Sequence, residues 1–324
     1  MGAITDVAGV EVGQWSDREG RTGVTAVLFE TGAVGAGLLL GASPTTRGFE
    51  SLYPRALPKP CHGVCFAGGS TFGLGATDGV QRWLREKGRG LPIDHLVVPL
   101  VPSAIIFDLL VGRSGAYPDA EAGYRACEAA SRRVEEGNVG AGTGALVGKL
   151  FRTAQAMAGG VGTASASVGG ATVGVLAVVN AFGDVRDPRT GAILAGARRG
   201  PDSLELADSA AAIRAGAVRD PYRALTTQNT TLALVVTDAA LEPARASIVA
   251  QMAAVGLART ISPVFTPYDG DLVVVLSTGQ QPVDEIRIGV VAADLIAEAV
   301  VRGIGAAEGF DGIPCASDLA ERTR

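Results

Sequence analysis

The stretch ALTTQNTTLALVVTD, residues 224–238, passes from polar residues to an apolar run within a few positions. Residues 232–236 have the aliphatic and β-branched composition of a buried strand. The preceding residues 183–228 hold most of the polar, irregular sequence of the chain, and we interpret them as surface loop and weak helix. A long exposed segment that ends directly at a buried strand is unusual, so the junction at Asn229 and Thr230 is a candidate site of chemistry.

Other apolar runs of the same kind alternate with helical patterns along the chain. Strands are predicted at residues 24–29, 63–66, 173–179 and 272–276, and helices at 74–87, 119–134, 241–255 and 286–304. The third helix opens with Leu-Glu-Pro, which places proline in the first turn, where helices accept it. Strands interspersed with helices predict an α/β layered protein.

The overall composition excludes several classes of protein. The chain has 324 residues, 47% of them hydrophobic, which excludes a disordered protein. Its net charge is −5, and no run of Lys or Arg exceeds two residues, so nucleic-acid binding has no support. The start of the chain lacks the pattern of a signal peptide. We therefore expect a soluble, cytoplasmic protein.

One uncharged segment, residues 153–183, has the length of a membrane span but not its composition. Its first half is rich in Ala, Gly, Ser and Thr, and the segment is interrupted at Gly159, Gly160, Gly162, Gly169 and Gly170. A spanning helix needs about 20 predominantly apolar residues. We interpret this segment as turns that lead into one buried strand, ATVGVLAVVN at residues 171–180, and expect no contact with a membrane.

The chain has few of the residues that metal sites and histidine-based catalysis require. His62 and His95 are its two histidines, which nearly excludes a His-rich metal centre. Cys61 and Cys65 flank His62, but no second Cys/His pair stands at zinc-like spacing. We expect free thiols and predict no metal and no cofactor.

Glycine is abundant, with 45 residues, and one glycine-rich segment resembles a phosphate loop. In GNVGAGTGALVGK, residues 137–149, a Walker-type loop would require glycine at Thr143 and a hydroxyl residue at Leu150. The dinucleotide-binding pattern is also incomplete, and no strand precedes it. Lys149 remains, either as a functional residue or as a lysine that snorkels to water from a strand end.

A second glycine-rich segment, FAGGSTFGLGA at residues 66–76, leads from a predicted strand into a predicted helix. Small residues at such a turn let the backbone approach a ligand or pack closely against the sheet. Ser70 and Thr71 are expected to cap the helix.

The Asn229–Thr230 junction suggests a specific reaction. A threonine hydroxyl there could attack the preceding carbonyl in an N-to-O acyl shift, and water would cleave the resulting ester. The new chain would begin with Thr230 and carry a hydroxyl nucleophile and an α-amine, whose pKa is ordinarily about 7.7–8.0. Such an amine serves as general base near neutral pH without any histidine. The alternative is that the Thr-Thr pair simply reflects β-propensity.

Six sets of motifs together resemble one family, the self-processing N-terminal-nucleophile peptidases. This group includes L-aminopeptidase/D-amidase/D-esterases, β-peptidyl aminopeptidases and nylon-oligomer hydrolases. The resemblance extends roughly over residues 5–309. The motifs are FAGGS (66–70) with FG (72–73), VPSAIIFD (101–108), GAGTG (140–144) with GK (148–149), VVN (178–180), QNTT (228–231) and TD (237–238).

The resemblance implies a fold and a processing event. The fold would be an αββα layered sandwich of the self-processing peptidase/ornithine acetyltransferase type, formed by residues 1–324 as one domain. Autocleavage between Asn229 and Thr230 would give an α chain of residues 1–229 and a β chain of residues 230–324. The resemblance further implies a homotetramer or larger homo-oligomer without metal or cofactor.

The resemblance also assigns roles to individual residues. Thr230 would be the nucleophile and, through its α-amine, the base. Asn180 would donate a hydrogen bond to the oxyanion, a task that suits a side-chain amide. Lys149 would lie near the nucleophile and lower the pKa of the amine.

Two further groups of residues are implied at the site. Asp269 and Asp271, in TPYDGD, would share a proton network with the new amine, unless they form only a solvated acidic turn. The Asp-Gly-Asp sequence resembles the nylon-oligomer hydrolases more than the β-peptidyl enzymes. A substrate pocket would include Gly68, Gly69, Ser103 and Phe107, the last of which stands where some relatives have tyrosine.

These features together predict an aminopeptidase or amidase that acts on small peptides or amides. Two alternatives remain open. One is an acyltransferase of the ornithine acetyltransferase type, which shares the fold and the self-cleaving threonine. The other is an unprocessed binding protein that uses the pocket without chemistry.

Overall fold

The structure is a computed structural model that describes residues 2–217 and 229–321. Within these ranges the chain forms sixteen strands and seven helices. The strands are β1 (Val10–Asp17), β2 (Thr22–Leu39), β3 (Thr46–Arg47), β4 (Cys61–Ala67), β5 (Leu91–Ile93), β6 (Leu96–Val98), β7 (Ser103–Ile105), β8 (Leu146–Val147), β9 (Met157–Ala158), β10 (Gly160–Val168), β11 (Ala171–Asn180), β12 (Asp184–Arg186), β13 (Ile193–Ala195), β14 (Thr230–Ala239), β15 (Ile261–Ser262) and β16 (Leu272–Gln281). The helices are α1 (Ser70–Gly73), α2 (Ala76–Glu86), α3 (Ala120–Glu128), α4 (Ser209–Arg214), α5 (Pro243–Thr260), α6 (Glu285–Gly305) and α7 (Ala316–Glu321).

The long strand β2 joins two half-sheets into one path, in the order β10-β11-β14-β16-β2-β4-β7-β3, with β1 also paired to β2. Its first part pairs with β1 and β4, whereas residues 34–39 pair with β16. The pairing with β4 shifts register between Leu28 and Ala33, and Gly32 there has a φ of 87°. An irregularity of this kind bends a strand, so β2 can leave one half-sheet and enter the other.

Side chains that alternate along the strands produce four layers. Successive residues of a strand face opposite sides of its sheet. On β14, Leu232 and Leu234 pack between the half-sheets against residues such as Phe29. The intervening Ala233 and Val235 pack against α5 and α6.

The other half-sheet is covered in the same way. Ala26 and Leu28 of β2 face α2 and α3, where Leu84 and Ala126 complete a separate apolar cluster. The layers therefore run helices, sheet, sheet, helices. This arrangement confirms the predicted αββα sandwich.

The five predicted core strands and the four predicted helices are present, with different bounds. The largest change concerns the strand predicted at residues 24–29, since β2 spans Thr22–Leu39, and the helix predicted at 119–134 ends at Glu128. No helix within the described residues is long and apolar enough to cross a membrane.

The expectation of one strand within residues 153–183 is wrong, because β10 precedes β11 as a full hairpin partner. The two strands are joined at Gly169 and Gly170, whose φ values of 60° and 90° suit a tight hairpin turn. The small residues of β10 have a packing role: a Cβ on Gly162 would lie 1.9 Å from the Ala299 carbonyl oxygen of α6. Small side chains allow this helix to approach the sheet.

Two local expectations also need correction. Ser70 and Thr71 do not cap the helix, since neither α1 nor α2 has a side-chain cap and Ser70 itself has a φ of 53°. The segment from residue 183 is less exposed than expected, because Asp184 and Arg198 are buried in it. Residues 218–228 of that predicted loop lie outside the described ranges.

Candidate active site

The Asn229–Thr230 junction is buried at the start of β14. Thr230 is the first residue of the strand and is 3% exposed, and Asn229 is fully buried. The Thr230 hydroxyl donates a hydrogen bond to the Asn229 carbonyl oxygen at 2.5 Å. The same oxygen accepts a hydrogen bond from the Gly270 N–H at 2.7 Å. A peptide carbonyl whose oxygen accepts hydrogen bonds from both a hydroxyl and a backbone N–H is polarised at its carbon.

Asn229 is fixed in place by the loop before β16. Its backbone N–H and its side-chain Nδ2 both donate to the Tyr268 carbonyl oxygen, at 3.0 and 3.1 Å. The loop therefore holds Asn229 at its N–H and side chain through Tyr268 and at its carbonyl oxygen through Gly270.

Asn180 and Lys149 lie together beside Thr230. Asn180 ends β11, and the antiparallel register places it directly opposite Thr230. The Lys149 ammonium donates to the Asn180 carbonyl and to Asn180 Oδ1, both at 2.8 Å. Lys149 is 5% exposed, so the alternative in which it snorkels to water is wrong. The structure thus brings together three of the residues predicted for the site.

The two aspartates of the Asp-Gly-Asp sequence are buried, which rules out a solvated acidic turn. Asp269 Oδ1 accepts from the Phe182 N–H at 3.2 Å, and its Oδ2 accepts from the N–H and the hydroxyl of Thr266. Asp271 accepts from the Thr231 N–H at 2.5 Å and from the Phe265 N–H at 3.1 Å.

Burial governs the ionisation of both carboxyls. It raises the pKa of Asp269, although the Thr266 and Phe182 hydrogen bonds and the Lys149 charge act in the opposite direction. Burial, together with the negative charge of Asp269, raises the pKa of Asp271 to about 8. The hydrogen bond from Thr231, the residue after Thr230, places the Asp271 carboxyl next to the junction.

Gly270 was missed by the sequence reasoning, although the Asp-Gly-Asp sequence contains it. A Cβ at this position would lie 2.7 Å from the Ser43 carbonyl oxygen and 3.0 Å from Thr230 Oγ1. Glycine is therefore what allows the backbone N–H to approach the Asn229 carbonyl.

The residues predicted for a substrate pocket are distributed around β4 and β7. The Phe107 carbonyl accepts from Asn180 Nδ2 at 3.5 Å, and Gly69 donates to the neighbouring Asp108. Ser103 is buried in β7, and within the described residues its hydroxyl has no hydrogen-bond partner. The described contacts therefore link Phe107 to the site directly, whereas Gly69 is hydrogen-bonded to Asp108, the residue after Phe107. They include none that links Ser103 to Thr230.

Comparison with solved structures identifies the class of fold. An L-aminopeptidase D-Ala-esterase/amidase from Ochrobactrum anthropi, described as a variant of the Ntn hydrolase fold, matches with a TM-score of 0.70 and 21% identity over 99% of this chain and 92% of its own. A β-aminopeptidase from Burkholderia sp. matches with a TM-score of 0.69 and 22% identity over 98% and 92%. The chain therefore has the Ntn-hydrolase fold.

Sequence comparison then identifies the family. Residues 2–315 match peptidase family S58, and the chain belongs to this family, so it is a hydrolase, as predicted. An uncharacterised aminopeptidase of Mycobacterium tuberculosis (strain ATCC 25618 / H37Rv) is 42% identical over 350 aligned positions, which cover 98% of each chain. A 6-aminohexanoate-oligomer endohydrolase of Kocuria sp. (strain KY2) is 27% identical over 318 positions, which cover 91% of this chain and 84% of that one.

Proposed function

We propose that this protein is a self-processing aminopeptidase or amidase whose nucleophile is Thr230, exposed by cleavage of the Asn229–Thr230 bond. The observation that carries the proposal is the buried Asn229 carbonyl, which receives hydrogen bonds from both the Thr230 hydroxyl and the Gly270 N–H. The names of the mycobacterial relative and of the two solved structures support the activity on peptides and amides.

Self-cleavage would begin with attack of Thr230 Oγ1 on the Asn229 carbonyl carbon. The Gly270 N–H would stabilise the oxyanion, a role in which one donor typically contributes about 10²–10³-fold in rate. The C–N bond then breaks, the hydroxyl proton passes to the departing nitrogen, and an ester joins the two residues. Water hydrolyses the ester, which leaves a carboxylate on Asn229 and a free α-amine on Thr230.

The mature enzyme would use the same hydroxyl on a substrate amide. The α-amine of Thr230 takes the hydroxyl proton as Oγ1 attacks and then delivers it to the leaving amine. Asn180 donates from its side-chain amide to the oxyanion, and water resolves the acyl-enzyme. The nearby Lys149 ammonium lowers the pKa of the α-amine, because a second positive charge beside it is unfavourable.

Intact-mass measurement with N-terminal sequencing tests the processing. The wild type should yield a chain of 229 residues and a chain of 95 residues that begins with Thr230. Thr230→Ala should remain full length, and Thr230→Ser should still be cleaved because it keeps the hydroxyl. A wild type that stays full length after long incubation would overturn the proposal.

Activity assays separate the hydrolase from its alternatives. Aminoacyl p-nitroanilides should be hydrolysed by the cleaved wild type and not by Thr230→Ala. Predominant acyl transfer to an added amine would instead identify an acyltransferase, and absence of both reactions would favour a binding protein. The homo-oligomer and the cytoplasmic location stay predictions.

A further inference from the structure

Two glycine-rich segments that are distant in sequence meet at the side chain of Asp108. A Cβ on Gly68 would lie 2.0 Å from Asp108 Oδ2, and a Cβ on Gly144 would lie 3.0 Å from Asp108 Cβ. The Gly69 N–H donates to Asp108 Oδ1 at 2.6 Å. Asp108 is 4% exposed and follows β7 closely, so the segments around residues 68 and 144 enclose a single buried carboxyl.

The Lys149 side chain acts on this carboxyl through its charge. Burial raises the pKa of Asp108 to about 7, while the Gly69 N–H, the Thr22 hydroxyl and the Lys149 charge lower it. Asp108 and Lys149 also line the same small cavity, together with Phe107, Gly144 and Leu146. Asp108 therefore lies close to Lys149, the residue that contacts Asn180. Among the described contacts, Asp108 has no hydrogen bond to Thr230.

A path of contacts leads from Asp108 to the proposed oxyanion donor. The preceding residue is Phe107, whose carbonyl accepts from Asn180 Nδ2 at 3.5 Å. Asn180 Oδ1 accepts hydrogen bonds from the Lys149 ammonium and, at 3.0 Å, from the Leu146 N–H. The Nδ2 end of the amide therefore faces Phe107. An amide nitrogen has two N–H donors, so one is directed to Phe107 and the other is left for the substrate oxyanion.

We propose that Asp108 is a positioning residue of the hydrolytic reaction: by holding the Gly68–Gly69 turn against residues 107–108, it fixes the Phe107 carbonyl that orients the Asn180 side-chain amide. The inference rests on the proposed function, in which Asn180 serves the substrate oxyanion. The proposed role of Asp108 concerns hydrolysis of the substrate and not self-cleavage. In the intact chain the Asn229 carbonyl accepts its backbone hydrogen bond from Gly270, and the described contacts include none from Asn180 to this carbonyl.

Asp108→Ala is the first test. Loss of a whole oxyanion donor typically costs about 10²–10³-fold, and a misdirected donor should cost part of that. We expect kcat, expressed per chain that begins with Thr230, to fall about 10–100-fold with KM within about twofold, the signature of an interaction made in the transition state. Self-cleavage should stay within about threefold of the wild type. Asp108→Asn, which keeps an oxygen for the Gly69 N–H, should restore kcat to within about threefold.

A double-mutant cycle with Asn180→Ala shows whether Asp108 acts through Asn180. If it does, adding Asp108→Ala to the Asn180→Ala enzyme should change kcat by less than about threefold, since residues that act through one hydrogen-bond network behave non-additively. An equal loss in both backgrounds would mean that Asp108 acts elsewhere and would overturn the proposal. Two further outcomes would overturn the proposal: a kcat of Asp108→Ala within twofold of the wild-type value, or loss of self-cleavage together with hydrolysis in this variant.

A matched control removes the effect of lost stability. Thr163 is buried in β10, and its hydroxyl accepts from the Ile4 N–H and donates to the Val175 carbonyl. Thr163→Val should lower the melting temperature without changing kcat. If Asp108→Ala is insoluble, Asp108→Ser, which is too short to reach Gly69, replaces it. Insolubility of both variants would show a structural role and overturn the proposal. A wild type without processing or hydrolysis would instead overturn the proposed function.

Discussion

The Lys149 ammonium donates to the backbone carbonyl and to the side-chain oxygen of Asn180, at 2.8 Å each, so one charge fixes both the strand end and the side chain opposite Thr230. This double contact explains why a lysine is buried here, since a buried cation requires hydrogen-bond acceptors and nearby negative charge. Asp269 and Asp108 are the carboxyls on which this charge acts: Lys149 lowers the pKa of each, although burial raises both pKa values overall.

Lys149→Met should therefore lower kcat at least about 100-fold, because it frees the Asn180 amide and removes the charge proposed to act on the Thr230 α-amine. Kinetics on an aminoacyl p-nitroanilide, normalised to processed chain, measure the effect. Lys59→Met changes an exposed lysine and should leave kcat unchanged. A Lys149→Met enzyme with nearly wild-type kcat would show that the contact has no role in hydrolysis.

Gly270→Ala should slow self-cleavage at least about tenfold, because the new Cβ cannot fit between Ser43 and Thr230 without moving the N–H that binds the Asn229 carbonyl. The rate at which the full-length band disappears on denaturing gels measures this. Gly305→Ala is the control, since a Cβ there would meet nothing within 4 Å. Equal cleavage rates in the two variants would exclude Gly270 from the oxyanion site.

The intact chain should lose stability as the pH rises from about 4 towards 8. The pKa of Asp271 is raised from 3.8 to about 8 by burial and by Asp269, so the folded state keeps a proton that the unfolded chain releases above about pH 4. Its stabilising contribution is complete below that pH and is lost as the pH approaches the folded value. Melting temperatures of Thr230→Ala, which the proposed mechanism expects to stay uncleaved, should fall accordingly between pH 5 and pH 8.5.

Adding Asp271→Asn to that background should reduce the slope, because the amide does not titrate. A change of about 1 kcal/mol would move the melting temperature by roughly 2–4 °C in a domain of 150–250 residues, and somewhat less here. Asp202→Asn, at an exposed aspartate, should leave the slope as it was. An unchanged slope in the Asp271 variant would mean that this carboxyl is ionised throughout the range.

The sequence was sufficient to predict five strands of the core. The roles expected for Asn180 and Lys149 came from the family resemblance, and the structure shows these two residues in contact, with Asn180 opposite Thr230. Runs such as residues 232–236 are recognisable because aliphatic and β-branched residues favour buried strands. The order of layers, in contrast, followed from the family resemblance and not from the strand patterns. β10 was not predicted, because its small residues are required by the close packing of α6 on the strand. That is a tertiary constraint, which the local sequence pattern does not show.

Burial and register explain what the sequence could not reveal. Asp269 and Asp271 read equally well as an exposed turn, and only their backbone partners show them to be buried. The position of Asn180 opposite Thr230 depends on the pairing of β11 with β14, two strands separated by about fifty residues. The role proposed for Asp108 depends on two glycine-rich segments that are adjacent only in the folded chain.

The cysteines provide a last prediction, which separates a threonine nucleophile from a thiol. All four cysteines are unpaired and buried. Burial raises the pKa of Cys61 and of Cys65 to about 12, and it raises the pKa of Cys127 as well, so these thiols are protonated at neutral pH. Since the thiolate is the reactive form, N-ethylmaleimide should neither label these three residues in the folded protein nor reduce hydrolysis. Mass spectrometry should show their labelling only after unfolding in guanidinium chloride. Loss of activity in step with labelling of the folded enzyme would contradict both the burial of the thiols and the assignment of Thr230 as the nucleophile.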